Sequence, residues 1–414
     1  MLFVLPTVPG TLEDRRNLRP IGRNTERYQQ MLEELRKIAV LADDMGFDVM
    51  ATTEHHFHSE GYETSVAPLI IYADLAARTK RIKFAPLGLC LPSWDPIRAA
   101  EELAVLDQLT KGRVYAGFAR GYQDRWMQVM AQAYHASGAP MDQGEQDLYN
   151  RRVGEEVFHI IRKAWTEETL EYNGEFYQVP FPYETGIQRW PATEWTRTYG
   201  APGELDANGV IRKICVVPNT YQQPHPPLFQ PFSVSENTIR WTAAEEIIPW
   251  ILVSYPPRFL ELSEMYRQVA VENGRDLRLG QSVGAFRAVH FGDTEEEAVS
   301  LLRDTNYAGF YEYFGGFGFW EAFRTPEDAE KYPLEPEYTP LPQTEWTLER
   351  MRQVKYALAG TPDQVKIEID ALHQVYAGGD LEWFGWFFDQ GLMPWGETER
   401  QMEFFAKHII SEFR

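Results

Sequence analysis

The sequence predicts an α/β fold, a single (β/α)8 (TIM) barrel over residues 1–414, and three observations predict it. Short apolar runs alternate with amphipathic helical stretches along most of the chain, the pattern of a parallel sheet covered by helices. Eight of those runs have strand length, at least seven helical stretches separate them, and no internal repeat is visible. That count suits a closed barrel better than an open doubly wound sheet. Polar clusters follow directly on several strands, where barrels present their chemistry.

Residues 2–5 are an apolar run stopped by Pro6 and Pro9, the first strand, and the polar stretch 10–23 reads as a loop. Asn24 or Thr25 caps a helix whose apolar positions, Met31, Leu35, Ile38 and Ala42 among them, keep helical spacing until Gly46. Residues 48–53, small or β-branched, make the second strand. A helix over 65–79 leads to a third strand over 82–91, and a helix over 97–109 stops at Gly112. The fourth strand covers 114–118. Residues 120–149 mix helical pieces with Gly and Pro before a cleaner helix over 150–165. Strands five to eight fall at 227–231, 247–253, 281–291 and 383–388. Their helices run over 235–244, 257–274, from 293, over 361–376 and over 397–413. Two stretches, near 176–208 and 306–345, are rich in aromatic residues, Gly and Pro and read as insertions.

Composition narrows the function classes. A formal charge of −21 repels phosphate backbones and anionic membranes, so nucleic-acid and membrane partners are set aside. Cys90 and Cys215 alone support neither a disulfide framework nor a Cys-based zinc site. No apolar run reaches spanning length and no basic-then-apolar leader opens the chain, so a cytoplasmic protein is expected.

The densest chemistry follows the second strand, where Glu54, His55, His56 and His58 crowd into five positions around Phe57. A lone histidine is more often structural than catalytic, but a cluster at a strand end shifts that balance. Two chemistries fit it. Imidazole near neutrality moves protons at physiological pH. The His56/His58 pair, with Asp389 after strand eight, also has the pattern of a metal-dependent hydrolase built on a barrel. That pair follows strand two rather than strand one, and no further ligand set stands out, so no metal is expected. A metal assay against a flavin titration separates the two.

Several segments, in order, carry a resemblance. E-H-H-F at 54–57, L-P-S-W-D-P-I-R-A-A-E-E-L-A-V-L-D-Q-L-T-K-G-R at 91–113, F-A-R-G at 118–121, S-V-S-E-N-T-I-R-W-T-A-A at 233–244 and G-T-P-D-Q-V at 360–365 resemble the bacterial luciferase-like flavin monooxygenases. The resemblance covers most of the chain apart from the two aromatic insertions. It implies a usually dimeric (β/α)8 barrel that binds reduced FMN, delivered as FMNH2 by a separate NAD(P)H:flavin reductase. On that cofactor O2 forms a C4a-peroxyflavin, which oxygenates an organic substrate.

Carried over residue by residue, the resemblance makes His55 the active-site histidine, with Glu54 beside it. It sets Arg120, and Arg151 or its neighbour Arg152, at the flavin phosphate together with the hydroxyls of Ser235 and Thr238. It also implies a non-prolyl cis bond at Leu87-Gly88, beside the flavin. Helix N-termini and arginine forks both suit a phosphate. The plainer readings are a barrel-mouth ion pair for Arg120, a solvated Arg151 and a simple helix cap at Ser235. Ala119 and Val234 stand where bacterial luciferase proper has a cysteine and a glutamate, which argues against light emission while leaving flavin binding intact. A deazaflavin-dependent oxidoreductase of the same superfamily and a flavin-holding protein without chemistry are the alternatives, and the retained His55 argues against the second. Finally, the 306–345 insertion stands where the family carries a mobile loop. Its rings and glycines suggest a lid over an apolar or aromatic substrate, against the alternative of packing on the outside of the barrel.

Overall fold

The computed structural model describes residues 1–138, 144–334, 338–375, 381–389 and 392–413. Their strands are β1 (Leu2–Val4), β2 (Val49–Thr52), β3 (Lys83–Pro86), β4 (Leu89–Cys90), β5 (Ala116–Ala119), β6 (Tyr172–Asn173), β7 (Gln178–Val179), β8 (Leu228–Ser233), β9 (Ile248–Ile251), β10 (Gly284–Phe291), β11 (Ala357–Gly360) and β12 (Trp383–Asp389). In class the fold is the expected (β/α)8 barrel: parallel strands joined by helical crossovers. The chain divides into two compact units, Met1–Gly88 with Pro227–Arg414, and Leu89–Pro226.

In the first unit seven strands run parallel in the order β3-β2-β1-β12-β10-β9-β8, and β11 pairs with β10. The helix Thr25–Met45 forms as its spacing predicts, with the Asn24 side chain accepting from the Arg27 N–H and Met31, Leu35, Ile38, Ala39 and Ala42 buried. Near its end Asp43 accepts the N–H groups of Lys80, Arg81 and Ile82 at 2.9, 2.7 and 2.7 Å, which fixes the entry to β3. Burial opposes the Asp43 charge, but these donors hold its pKa below the ordinary carboxylate value.

Rings fill the interior. Phe3 lies 4.8 Å from Phe387 and 5.3 Å from Phe286, and Trp250 lies 5.2 Å from Phe286. Much of the 14% aromatic content is used here and in the 306–345 stretch. Gly284 and Gly385 make room for it, since a Cβ on either would come within 2.5 and 2.8 Å of the Trp250 ring. Gly385→Ala is therefore expected to lower stability by ~1–3 kcal/mol through overpacking. The measurement is the urea midpoint, and an unchanged midpoint would mean that the indole yields freely.

The second unit holds the parallel pair β4-β5 and the antiparallel ribbon β6-β7. Its helices Pro96–Thr110 and Glu145–Thr166 are tied by the Trp165 indole N–H, which donates to the Ala100 carbonyl at 3.0 Å. The 176–208 stretch contains the helix Thr193–Tyr199, with Trp195 and Tyr199 exposed.

Several expectations shift. The third strand is two strands, interrupted at the cis Leu87–Gly88 bond. Residues 10–23 are not all loop, because Thr11 and Asp14 form a capping box that starts the helix Leu12–Asn17. The helix expected over 361–376 is Pro362–Gln374, and Tyr376 lies outside the described residues. No helix among the described residues is long and apolar enough to cross a membrane.

Candidate active site

The loop after β2 is clamped on several sides. The Thr52 N–H donates to the Tyr72 hydroxyl at 2.8 Å, and that hydroxyl donates to the Ala85 carbonyl at 2.7 Å. Beyond the strand, the His55 N–H reaches the Ser65 carbonyl and the hydroxyls of Thr53 and Ser65 meet at 3.2 Å, so the loop closes on its own base. Backbone bonds from Val8 to Gly61 (2.7 Å) and from Thr64 to Pro6 (2.6 Å) fasten it to the exit of β1. Arg15, from the unexpected first helix, donates to the carbonyls of Glu60 and Val8 and lies 4.3 Å from the centre of the Tyr62 ring. The chain turns tightly at Phe57, Gly61 and Glu63, all with positive φ.

These constraints bury His55 and aim a carboxylate at it. Its Nδ1 lies 2.7 Å from Oε2 of Glu63, with both side chains 5% exposed or less. The approach is off the axis of an ideal N–H bond, so it is a close charge contact rather than an aligned hydrogen bond. Next to it His58 Nδ1 lies 2.9 Å from the Tyr62 carbonyl, and Tyr313 Oη lies 3.1 Å from His58 Nε2. A carbonyl only accepts, so His58 carries a proton on Nδ1, and the tyrosine hydroxyl meets the ring at Nε2. Glu54 meets His56, with Oε1 3.1 Å from Nε2.

The His56/His58 pair of the metal-hydrolase reading is therefore not assembled, because the two rings are drawn to different partners. The trio that converges is His55, His58 and Glu63, whose ligand-type atoms all lie within 4.8 Å of one another. The Asp389 side chain lies outside what is described. Sequence reasoning missed Glu63, which follows His55 by eight positions inside an irregular loop where spacing carries no signal.

Rings of the described part of the 306–345 stretch pack at the carboxyl ends of strands in its own unit. Phe319 lies 5.6 Å from Phe232 at the end of β8, and Phe310 lies 5.8 Å from Phe387 in β12. Trp320 stacks on Trp346 at 5.8 Å, and Phe310, Phe314, Phe319, Trp320 and Phe323 are buried. Tyr313 connects this segment to His58.

Anion-binding groups occur in both units. In the first, Ser235 ends the chain's run from β8 and caps the helix Glu236–Ala244, its hydroxyl accepting from the Thr238 N–H and lying 3.0 Å from the Thr238 hydroxyl. Glu236, an acid in that first turn, is paired with Arg258 at 2.8 Å.

In the second unit Arg120 leaves β5 and binds Asp147, and Arg151 lies 4.0 Å from the same carboxylate. Asp147 sits four residues before Arg151 on one helix face, a spacing legible in the sequence. Two guanidinium groups on one carboxylate leave an excess positive charge. Burial first, and then the neighbouring Arg120, pull the Arg151 pKa below its ordinary value, and its Nε is buried without a hydrogen-bond partner among the described residues. An anion beside the pair would relieve both strains, so these residues fit a phosphate. Arg152 instead reaches Glu175 at 3.4 Å, and its side chain is 53% exposed.

Comparison with known proteins gives one consistent answer. The model of the family described as luciferase-like monooxygenase matches residues 18–379. The alkanal monooxygenase alpha chain of Photobacterium leiognathi is 25% identical over 307 residues, which is 70% of this chain and 73% of that one. The oxygenase component of the flavin-dependent trigonelline monooxygenase of Acinetobacter baylyi is 25% identical over 332 residues, 75% and 74% of the two chains. Among solved structures, the oxygenating constituent of 3,6-diketocamphane monooxygenase from Pseudomonas putida, in complex with FMN, superposes with a TM-score of 0.69 at 19% identity, covering 93% of this chain and 94% of that one.

Proposed function

Because the chain belongs to the luciferase-like monooxygenase family, we propose that it is the oxygenase of a two-component system, taking FMNH2 from a separate NAD(P)H:flavin reductase. With O2 it oxygenates an apolar or aromatic organic substrate larger than a short aldehyde. Bound reduced FMN supplies the electrons that activate O2. The protein's own share is to hold the cofactor, exclude water and manage a proton.

The observation that carries the reading is His55, buried at the end of β2 with Nδ1 engaged by Glu63. Its other nitrogen, Nε2, is the group proposed to exchange a proton with the reacting oxygen. In the second unit Arg120 and Arg151 offer positive charge to a phosphate, and in the first Ser235 and Thr238 offer hydroxyls at a helix N-terminus. The rings of 310–323 keep the chemistry dry, so that reducing equivalents are not lost as hydrogen peroxide.

An anaerobic titration with reduced FMN, followed by oxygen consumption with a panel of apolar and aromatic compounds, tests the proposal. Saturable binding and substrate-dependent coupling are expected. Absence of binding, or tighter binding of a reduced deazaflavin, would sink it.

The lid carries its own prediction. Cleavage within 306–345 by a protease of broad specificity is expected in the free protein and should slow once flavin and substrate are bound. Equal cleavage rates would remove the lid and the substrate-size inference together.

A further inference from the structure

We propose that Glu63 is the positioning residue of the site: it favours the Nδ1–H tautomer of His55, so that Nε2 is the unprotonated nitrogen, and it joins the ring to the cavity that Glu63 lines. This rests on His55 being the proton-handling group, and the test below separates the two ideas.

Oε2 and Nδ1 stand 2.7 Å apart in a place where neither side chain is more than 5% exposed. Two bare lone pairs do not share that distance, and little water reaches the pair to screen them. A proton on Nδ1 lowers that repulsion even off the ideal axis, so the carboxylate favours the tautomer whose unprotonated nitrogen is Nε2. Without Glu63 nothing in that contact selects one nitrogen over the other.

Glu63 has φ +44°, a left-handed conformation that favours glycine. The loop nevertheless holds a long acidic side chain there, with its carboxylate turned inward on His55. Strain of this kind persists where the surroundings over-determine it. Here the Thr64–Pro6 backbone bond immediately after it and the Arg15–Tyr62 contact immediately before it do so.

Glu63 also lines a cavity of ≈ 1020 Å³ whose walls include Asp14, Arg15, Tyr62, Tyr313 and Phe388. When Nε2 gains a proton, the one on Nδ1 can pass to the Glu63 carboxylate, whose residue borders that cavity. The titratable and charged groups around the dyad are His58 and Tyr62 from the same loop and Tyr313 from the 306–345 segment. The cavity walls add Asp14 and Arg15 from the first helix, Arg27 and Glu34 from the helix Thr25–Met45, and Asp304 and Glu312. Tyr313 hydrogen-bonds to His58, whose Nδ1 is 3.8 Å from Glu63, so the lid segment is in register with the dyad.

A metal ion on His55, His58 and Glu63 is the competing occupant. Ligands at ~2.0–2.2 Å from a tetrahedral ion stand roughly 3.4 Å apart. Nδ1 and Oε2 are closer than that, and both nitrogens of His58 are already engaged.

The test uses the full chain labelled with 15N-histidine, free of flavin, with two-bond proton–nitrogen spectra assigned through His55→Gln. The wild type should show His55 as the Nδ1–H tautomer. Glu63→Gln, which keeps an acceptor, should retain it, and Glu63→Ala should lose it. Glu63→Gly, for which positive φ is easy, serves if Glu63→Ala fails to fold. In turnover, Glu63→Gly should form about tenfold less product per FMNH2 and shift the pH profile, while Glu63→Gln restores part of the yield.

An Nε2–H tautomer in the wild type, an unchanged spectrum in both Glu63→Ala and Glu63→Gly, or stoichiometric zinc in the purified protein would overturn the proposal. So would an unaltered yield and pH profile in Glu63→Gly. If the protein binds no flavin, the proposed function fails while the tautomer is still read directly.

Discussion

His55→Ala is expected to bind reduced FMN as the wild type does and to lose ~10²–10⁴-fold in oxygenated product, with hydrogen peroxide formed instead. The magnitude is that of a positioned acid–base group. The separation of binding from chemistry follows from the structure: His55 sits in a loop clamped by Thr53, Ser65, Gly61 and Thr64, none of which depends on its ring. Removing the imidazole leaves the Glu63 carboxylate buried opposite a gap, so some loss of stability accompanies the change. His55→Gln refills part of that gap with a polar group that cannot relay a proton at neutral pH. If His55→Gln melts like the wild type and still uncouples, the defect is chemical. Wild-type product per FMNH2 in both variants would reduce His55 to a structural residue.

The fold was legible in the sequence where burial imposes a period. The helix Thr25–Met45 and the run β8, Ser235, Glu236–Ala244 were readable because an apolar spacing and a cap signal agree. Where no face is buried, the signal disappears. The helix Leu12–Asn17 has no buried residue and reads as polar loop, yet it supplies Arg15, which pins the histidine loop. β11 was missed because Ala-Leu-Ala-Gly is too short and too small to stand out beside the strong helix that follows.

The site divides in the same way. Residues that end or cap an element (Ser235, Thr238, Arg120) fall where pattern places them. Glu63 and Tyr313 reach His55 and His58 through left-handed turns and a tertiary contact at a separation of 255 residues, which no local pattern encodes.

Arg120→Ala is expected to weaken reduced FMN binding while leaving reduced riboflavin, which lacks the phosphate, nearly unaffected. A charge-assisted hydrogen bond is worth roughly 1.5–3 kcal/mol, so the dissociation constant should rise on the order of ten- to 150-fold. Asp147 sharpens the expectation. It is buried between Arg120 and Arg151, and deleting Arg120 leaves it with the weaker 4.0 Å partner, so the local charge falls from an excess cation to near balance. Phosphate then meets a site that no longer attracts it. Arg151→Ala should act in the same direction, because its strand-side neighbour and its unpartnered Nε mark it as the second donor. Arg152→Ala should do nothing measurable, since that side chain is solvated and its Glu175 contact is of the exposed kind that contributes little. Loss of affinity in Arg152→Ala with none in Arg151→Ala would reverse the assignment of the pair. Equal weakening of FMN and riboflavin in Arg120→Ala would show that Arg120 braces the protein rather than the phosphate.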